Sequence, residues 1–491
     1  MRKLLNFTKE AEIKKIDYLL IGIILCLAFL LSSYCLRYNP SSWFDEGIYI
    51  QISNNLYSQG MMAVQSAPGE FTPLALISVG YPVYYTASVF YKVFGTGFIQ
   101  ARFAAIFFLL LFIFFFYLLN KKLYKGRVAF LSTLLLLFFA PLYGNGRNLL
   151  GDIPGLLFMS IGLLGYLYWE KSDFKNNKPA IFSGLAFGLA VATKPNFLVL
   201  GGGILLALFL NRKILKSNLK QLGLFLISGL IPFVWWIVSQ FTSISVIQRV
   251  FEHYANPYAN ESVSSLFIPN LIKFFTETTP LHFTLLGMVL LISIIFRIKN
   301  KTHITGTEII IYFFILFTFL SFLRTPGWYR YFFLAHIWLI FLFPHAVETI
   351  TNYIIKRRQL ALYASIIITL LLIGVGSVHL VKTGLSCRES SVDRASKFML
   401  EWTKPSDKPV MFINTPELVA RISNNNYSQY LEINPTIKFG KNELQKIERG
   451  VYNQIILMDN DLNPVTNNLQ CYNLDKNIGR YKFYQKKNIC K

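Results

Sequence analysis

Long apolar runs separated by short polar interruptions recur from Ile16 to Leu380, and several approach the roughly 20 residues needed to cross a bilayer. They predict about eleven membrane-spanning helices, at roughly 17–36, 102–120, 128–143, 153–169, 180–193, 196–210, 222–239, 281–297, 308–323, 330–346 and 360–380. After residue 382 the pattern changes, and Asn, Lys and Ser replace the Leu and Phe runs. There KPVMFINT and YNQIILMDN read as buried strands, and PELVARIS and KNELQKIER as helices. The expected organisation is a transmembrane part over 1–382 and a small soluble α/β domain over 383–491.

Two connections are long, at about 37–101 and 241–280. In the first, IYIQISNNLYSQG has the polarity of a helix lying along the membrane interface. VGYPVYYTASVFYKVFG is apolar but interrupted by Gly and Pro, which suits a half-buried re-entrant or interfacial segment better than a span.

Composition agrees with a polytopic membrane protein. Charged residues are 15% of the 491, against about 25% in soluble domains. The net charge of +23 would suggest nucleic acid in a soluble chain; here it collects in alternate connections, and no nucleic-acid partner is implied. MRKLLNFTKEAEIKK, KKLYKGR, EKSDFKNNK, NRKILKSNLK, RIKNK and KRR form one basic set. The positive-inside rule places that set, with the N-terminus, in the cytoplasm. An odd number of spans then puts the C-terminal domain outside. Cys26 and Cys35 fall in the first span and read as packing residues. Cys387, Cys471 and Cys490 lie where disulfides persist, with Cys471–Cys490 one option.

The outer side therefore carries NPSSWFDEGIY, with Asp45 and Glu46 adjacent. Near span ends on that side stand Glu70, Arg102, Arg147, Asp152, Lys194, Arg249, Glu252, His253, Arg324 and Arg330. Ionisable groups at such positions are costly to turn inward and are functional candidates. A carboxylate within reach of an acceptor hydroxyl can take its proton. Arg and Lys can stabilise a phosphate leaving group.

These landmarks resemble the GT-C glycosyltransferases of the protein-mannosyltransferase and aminoarabinose-transferase type. The resemblance rests on WFDEGIY after the first span, ARFAAIFF, GNGRNLLGDIPGLLF, GLAFGLAVATKPNFLVL and RTPGWYRYFFLAHIWLIFLFP, in order over about 15–350. It implies a GT-C fold, a polyprenyl-phosphate sugar donor, and inverting transfer outside a prokaryotic plasma membrane to a glycan, lipid or protein acceptor. By position, Asp45 is implied as base or acceptor-orienting carboxylate, with Glu46 supporting it. Arg102, Arg147, Lys194, Arg324 and Arg330 are implied at the donor phosphate, and Asp152 and Tyr329 as support. Glu70 in APGEFTP and His253 in VFEHYANP sit where some relatives hold a divalent metal. VGYPVYY departs from the Pro-Pro-Leu segment of many relatives. A transporter or flippase of a lipid-linked glycan is the competing reading, but it would place polar groups near the bilayer midplane. Here they gather at the outer ends.

Overall fold

The computed structural model describes residues 15–73, 79–241, 243–248, 263–403, 409–422, 425–434, 437–459 and 469–487. Each of the eleven apolar runs is helical. In chain order the first helices are α1 (Lys15–Ser33), α2 (Phe44–Gln59), α3 (Tyr81–Phe94), α4 (Phe98–Leu123), α5 (Gly126–Leu137) and α6 (Ala140–Gly146). Then follow α7 (Asp152–Lys171), α8 (Asn177–Thr193), α9 (Leu200–Leu210), α10 (Arg212–Leu215) and α11 (Leu219–Gln240). The bundle continues with Val263–Thr276, Thr278–Lys299, Gly306–Phe322, Phe333–Ile354 and Arg358–His379. Among the described residues, six helices are long and apolar enough to cross a membrane alone, and α5 with α6 would make a seventh.

That pair is bent by 68°. Pro141, in the first turn of α6, has no N–H for the carbonyl of Leu137, so the helix cannot run on. The Tyr143 hydroxyl donates to that carbonyl instead, at 2.8 Å. Pro195 ends α8 in a similar way, and the buried Thr193 carbonyl accepts from the Gly80 N–H at the start of α3, at 3.0 Å. Helices α8 and α11 approach through glycines. A Cβ on Gly188 would lie 2.2 Å from the Gly229 carbonyl oxygen, the small-residue packing that membrane helices favour.

The C-terminal region is a six-stranded mixed sheet in the order β5-β4-β3-β6-β8-β7, from β3 (Val410–Ile413), β4 (Tyr427–Asn434), β5 (Ile437–Phe439), β6 (Gln454–Met458), β7 (Tyr472–Ile478) and β8 (Tyr481–Lys486). Strand β3 runs parallel to β4 and β6; the other pairings are antiparallel. Helices Ser391–Trp402, Pro416–Val419 and Lys441–Glu448 pack on it. Val392, Met399, Phe412, Ile456 and Phe483 form one of its cores.

The segment after the first span differs from the sequence expectation in one half. IYIQISNNLYSQG is helical, as part of α2, but Glu46 to Ser53 are buried rather than lying on lipid. The cover is tertiary. Gln51 donates to the Pro416 carbonyl at 3.4 Å and accepts from Gln429 at 2.7 Å, so the C-terminal region supplies the partners that water would have. The hairpin of β1 (Ala63–Ala67) and β2 (Glu70–Pro73) joins in, Gln65 donating to the Tyr427 carbonyl at 3.0 Å. Helix α3 does have one buried face (Val83, Tyr84, Ala87, Tyr91) and one exposed apolar face (Tyr85, Val89, Val93), as an interfacial helix would.

A second correction concerns Cys35. Helix α1 stops at Ser33, so Cys35 leaves the span and forms a disulfide with Cys387, 352 residues away. Beside it, Asn39 donates to the Gly384 carbonyl at 3.1 Å and the Ser386 carbonyl at 2.8 Å. Cys26 is free, Cys471 is disulfide-bonded, and Cys490 lies outside the described residues.

Candidate active site

Helix α2 begins at Phe44, which places Asp45 and Glu46 in its first turn, where the helix dipole favours negative charge. Consecutive residues on a helix point about 100° apart. The two carboxylates therefore face different surroundings. Glu46 has no exposed surface: Arg102 Nε and Nη2 reach its two oxygens at 2.9 and 2.8 Å. Asp45 is partly exposed, and its Oδ2 accepts from Arg330 Nη1 at 2.5 Å. Of the two carboxylates, only Asp45 has exposed surface.

Arg102 is fully buried and spends its remaining donors on the Leu36 carbonyl at 2.7 Å and Asn148 Oδ1 at 2.9 Å. It is the buried counter-ion of Glu46, where the sequence pattern suggests a donor-phosphate ligand. A lone buried carboxylate is what forces this arrangement, because it costs several kcal/mol unless fully paired. Phe98, one turn earlier on α4, has its ring 4.3 Å from the Arg102 guanidinium and 4.3 Å from that of Arg421. Arg421 is held in turn by Asp393 at 2.8 Å. The C-terminal region thus reaches the ion pair behind Asp45 through one aromatic ring.

Arg147 is equally buried. It donates to the carbonyls of Tyr143, Tyr34 and Gly384 at 3.0, 3.1 and 2.7 Å. Burial, and after it the charge of Arg102, lowers its guanidinium to about 10, still protonated at neutral pH. Its role is to tie the ends of the first and last spans together, and the phosphate role expected for it finds no open donor face. Lys194 pairs with Asp152 at 2.7 and 2.9 Å, with 13% of the lysine side chain exposed, so a cation expected at the phosphate and a carboxylate expected as support form one unit. Arg324 is exposed, with no ion pair among the described residues.

The helix Phe333–Ile354 starts three residues later than the apolar run, and Tyr329–Tyr331 form a 3₁₀ turn before it. That turn sets Arg330 against Asp45, with the Trp43, Trp328 and Tyr331 rings 5.2 to 5.5 Å from its guanidinium. Burial works against the charged guanidinium, but Asp45 and Tyr331 outweigh it and hold its pKa above the ordinary value. Tyr329 turns the other way. Burial raises its phenol well above the ordinary value of 10, so it stays protonated, and its hydroxyl lies within hydrogen-bond distance of His336 Nδ1, at 3.2 Å. His336 Nε2 and His282 Nδ1 share a hydrogen bond at 2.8 Å. Sequence reading missed both histidines because each sits inside an apolar run.

Glu70 is exposed on the β1–β2 hairpin, and His253, Arg249 and Glu252 lie outside the described residues. No group of three His, Cys, Asp or Glu side chains able to hold a metal occurs among the described residues. Asn148, Phe98 and Arg421 were also missed. Asn148 adjoins Arg147 and was within reach of the same motif; Arg421 carries no local signal in PELVARIS.

Residues 80–236, about a third of the chain, match the family model described as dolichyl-phosphate-mannose-protein mannosyltransferase. No curated protein matches in sequence. Among solved structures, apo ArnT from Cupriavidus metallidurans is similar with a TM-score of 0.60 at 16% identity, over 95% of this chain and 97% of that one. The same protein bound to undecaprenyl phosphate gives 0.58 at 14% identity, over 96% and 98%. The oligosaccharyltransferase AglB from Archaeoglobus fulgidus, in complex with an inhibitory peptide and a dolichol-phosphate, gives 0.54 at 13% identity, over 91% and 70%. The fold is the GT-C fold of membrane glycosyltransferases, present along nearly the whole chain.

Proposed function

We propose that this GT-C chain transfers a sugar from a polyprenyl-phosphate donor to an acceptor hydroxyl at the Asp45 end of the bundle, with inversion at the anomeric carbon. The observation that carries the reading is the unlike fate of the two adjacent carboxylates. Glu46 is sealed and paired, while Asp45 is partly open and has one oxygen on Arg330. The acceptor oxygen forms its bond to the anomeric carbon as the carbon–phosphate-oxygen bond breaks. The hydroxyl proton passes to Asp45, and the electron pair leaves with the lipid phosphate. Arg330, Lys194 and Arg324 supply positive charge for that leaving group, each in its own setting, whereas Arg102 and Arg147 hold the frame. Two of the similar structures are complexes with undecaprenyl phosphate and a dolichol-phosphate, which supports a lipid-phosphate donor here.

The Asp45 end is read as facing outward. The Cys35–Cys387 disulfide lies at that end and would persist in an oxidising compartment, while the basic connections sit at the other.

Asp45→Asn tests the mechanism. The variant keeps shape and one hydrogen-bond acceptor, and a partly exposed ion pair contributes only about 0–1 kcal/mol, so melting should hardly change. Transfer from a synthetic polyprenyl-phosphate sugar should fall by about 10²–10⁴-fold, the usual loss with a general base. A near-normal rate in a folded Asp45→Asn protein would remove Asp45 from the chemistry.

A further inference from the structure

The helix Phe333–Ile354 starts beside Arg330 and ends about 33 Å away, at the opposite face of the bundle. A cavity of about 580 Å³ opens there, between the starts of α5 and Arg358–His379 and the end of Phe333–Ile354. Its polar wall holds Lys125, Arg127, Lys356 and Arg358 against one carboxylate, Glu348. Arg127 and Lys125 both lean on that carboxylate, at 2.9 and 3.6 Å, and Glu348 is nearly buried beneath them. Lys356 and Arg358 are exposed and have no ion pair among the described residues. The lining is therefore strongly positive, with two cations uncommitted.

The rest of the lining is the polar Asn352 and two apolar side chains. Ile355 and Leu362 complete the wall, and outside it Ile354, Leu360 and Tyr363 expose 67%, 51% and 58% of their surface. Those side chains face what surrounds the bundle. A cationic pocket with an apolar rim fits an amphiphile: an anionic head inward and hydrocarbon along the rim. Arg and Lys both bind phosphate well, and basic pockets between membrane helices take phospholipid headgroups.

We propose that this cavity is a binding site for an anionic phospholipid, its phosphate held by Lys356 and Arg358 and its acyl chains along Ile354, Leu360 and Tyr363. The site is separate from the transfer chemistry and does not depend on it. The lipid would add a link between the ends of three helices that already pack against one another.

The test uses the purified full chain in detergent, titrated with dioleoyl-phosphatidylglycerol, dioleoyl-phosphatidylcholine and inorganic phosphate, with bound lipid read by native mass spectrometry. The comparison is Lys356→Gln/Arg358→Gln against Lys216→Gln/Lys220→Gln, which removes equal charge from exposed positions of another basic connection. Phosphatidylglycerol should bind in preference to phosphatidylcholine. Each basic group near a membrane surface adds about a factor of five in binding, so the pocket variant should bind about thirtyfold more weakly. The control variant should change by less than about threefold. Equal losses in both double variants would reduce the effect to diffuse surface attraction and overturn the site. Competition by inorganic phosphate as strong as by the lipid would overturn the lipid assignment. Should the double variant fold poorly, Arg358→Gln alone should still lose about fivefold, and no loss there would refute the proposal.

Discussion

Substituting Arg102 by Gln separates the two roles that sequence and structure give this residue. If Arg102 bound donor phosphate, the loss would be one charge-assisted contact, about 1.5–3 kcal/mol in donor use, with an intact fold. The structure requires a different order of events. Arg102→Gln leaves the Glu46 carboxylate at 0% exposure without its counter-ion, and takes the donors from the Leu36 carbonyl and Asn148 Oδ1 as well. Breaking a buried ion pair from one side costs about 3–5 kcal/mol. Against a total stability of about 5–15 kcal/mol, that is a large fraction. The melting temperature in detergent should fall by roughly 3–5 °C. Removing both charges, as Glu46→Met/Arg102→Met, should recover part of the loss, because no lone charge remains buried. Recovery stays incomplete, since Leu36 and Asn148 still lack their donors. The assay pairs thermal melts with single-turnover transfer on the fraction that remains folded. Wild-type melting with strongly reduced donor use would refute the structural role and return Arg102 to the phosphate.

Gly47→Ala should be harmful although Ala favours helix, because its Cβ would lie 2.4 Å from backbone atoms of Pro416 and Glu417. Overpacking of this kind costs about 1–3 kcal/mol, and the shift it imposes on α2 should lower transfer by about 10²-fold; unchanged turnover would mean that the C-terminal region does not position Asp45. Cys35→Ser/Cys387→Ser should lose about 2–4 kcal/mol in thermal or denaturant melts, and a reducing agent, which also opens the Cys471 disulfide, should give at least that shift in the parent protein; no shift in either would show that the disulfide does not hold the two ends. Arg324→Gln should melt as the parent does while weakening donor use about tenfold, a loss of about 1.4 kcal/mol. Full donor use in that variant would take the phosphate away from this loop.

The sequence by itself determined the bundle. A bilayer accepts only segments whose apolar length covers it and whose backbone bonds close internally, so the runs from Ile16 to Leu380 had to be helices. KPVMFINT and YNQIILMDN were legible for a related reason, since short apolar stretches between polar turns have few other uses than a buried strand. The Asp45-Glu46 step was legible as chemistry because it stands among Trp43, Phe44 and Ile48, where charge is expensive. Which acid is open and which is sealed was not legible. That depends on the phase of α2 against α4, and on Arg102 arriving from 56 residues away. The same holds for Gly47 under Pro416, for Phe98 between Arg102 and Arg421, and for Cys35 with Cys387. Local pattern reports what each segment must do with water and lipid. It carries no record of which distant backbone takes water's place, so the tertiary structure alone decided that the C-terminal region closes over the helix bearing Asp45.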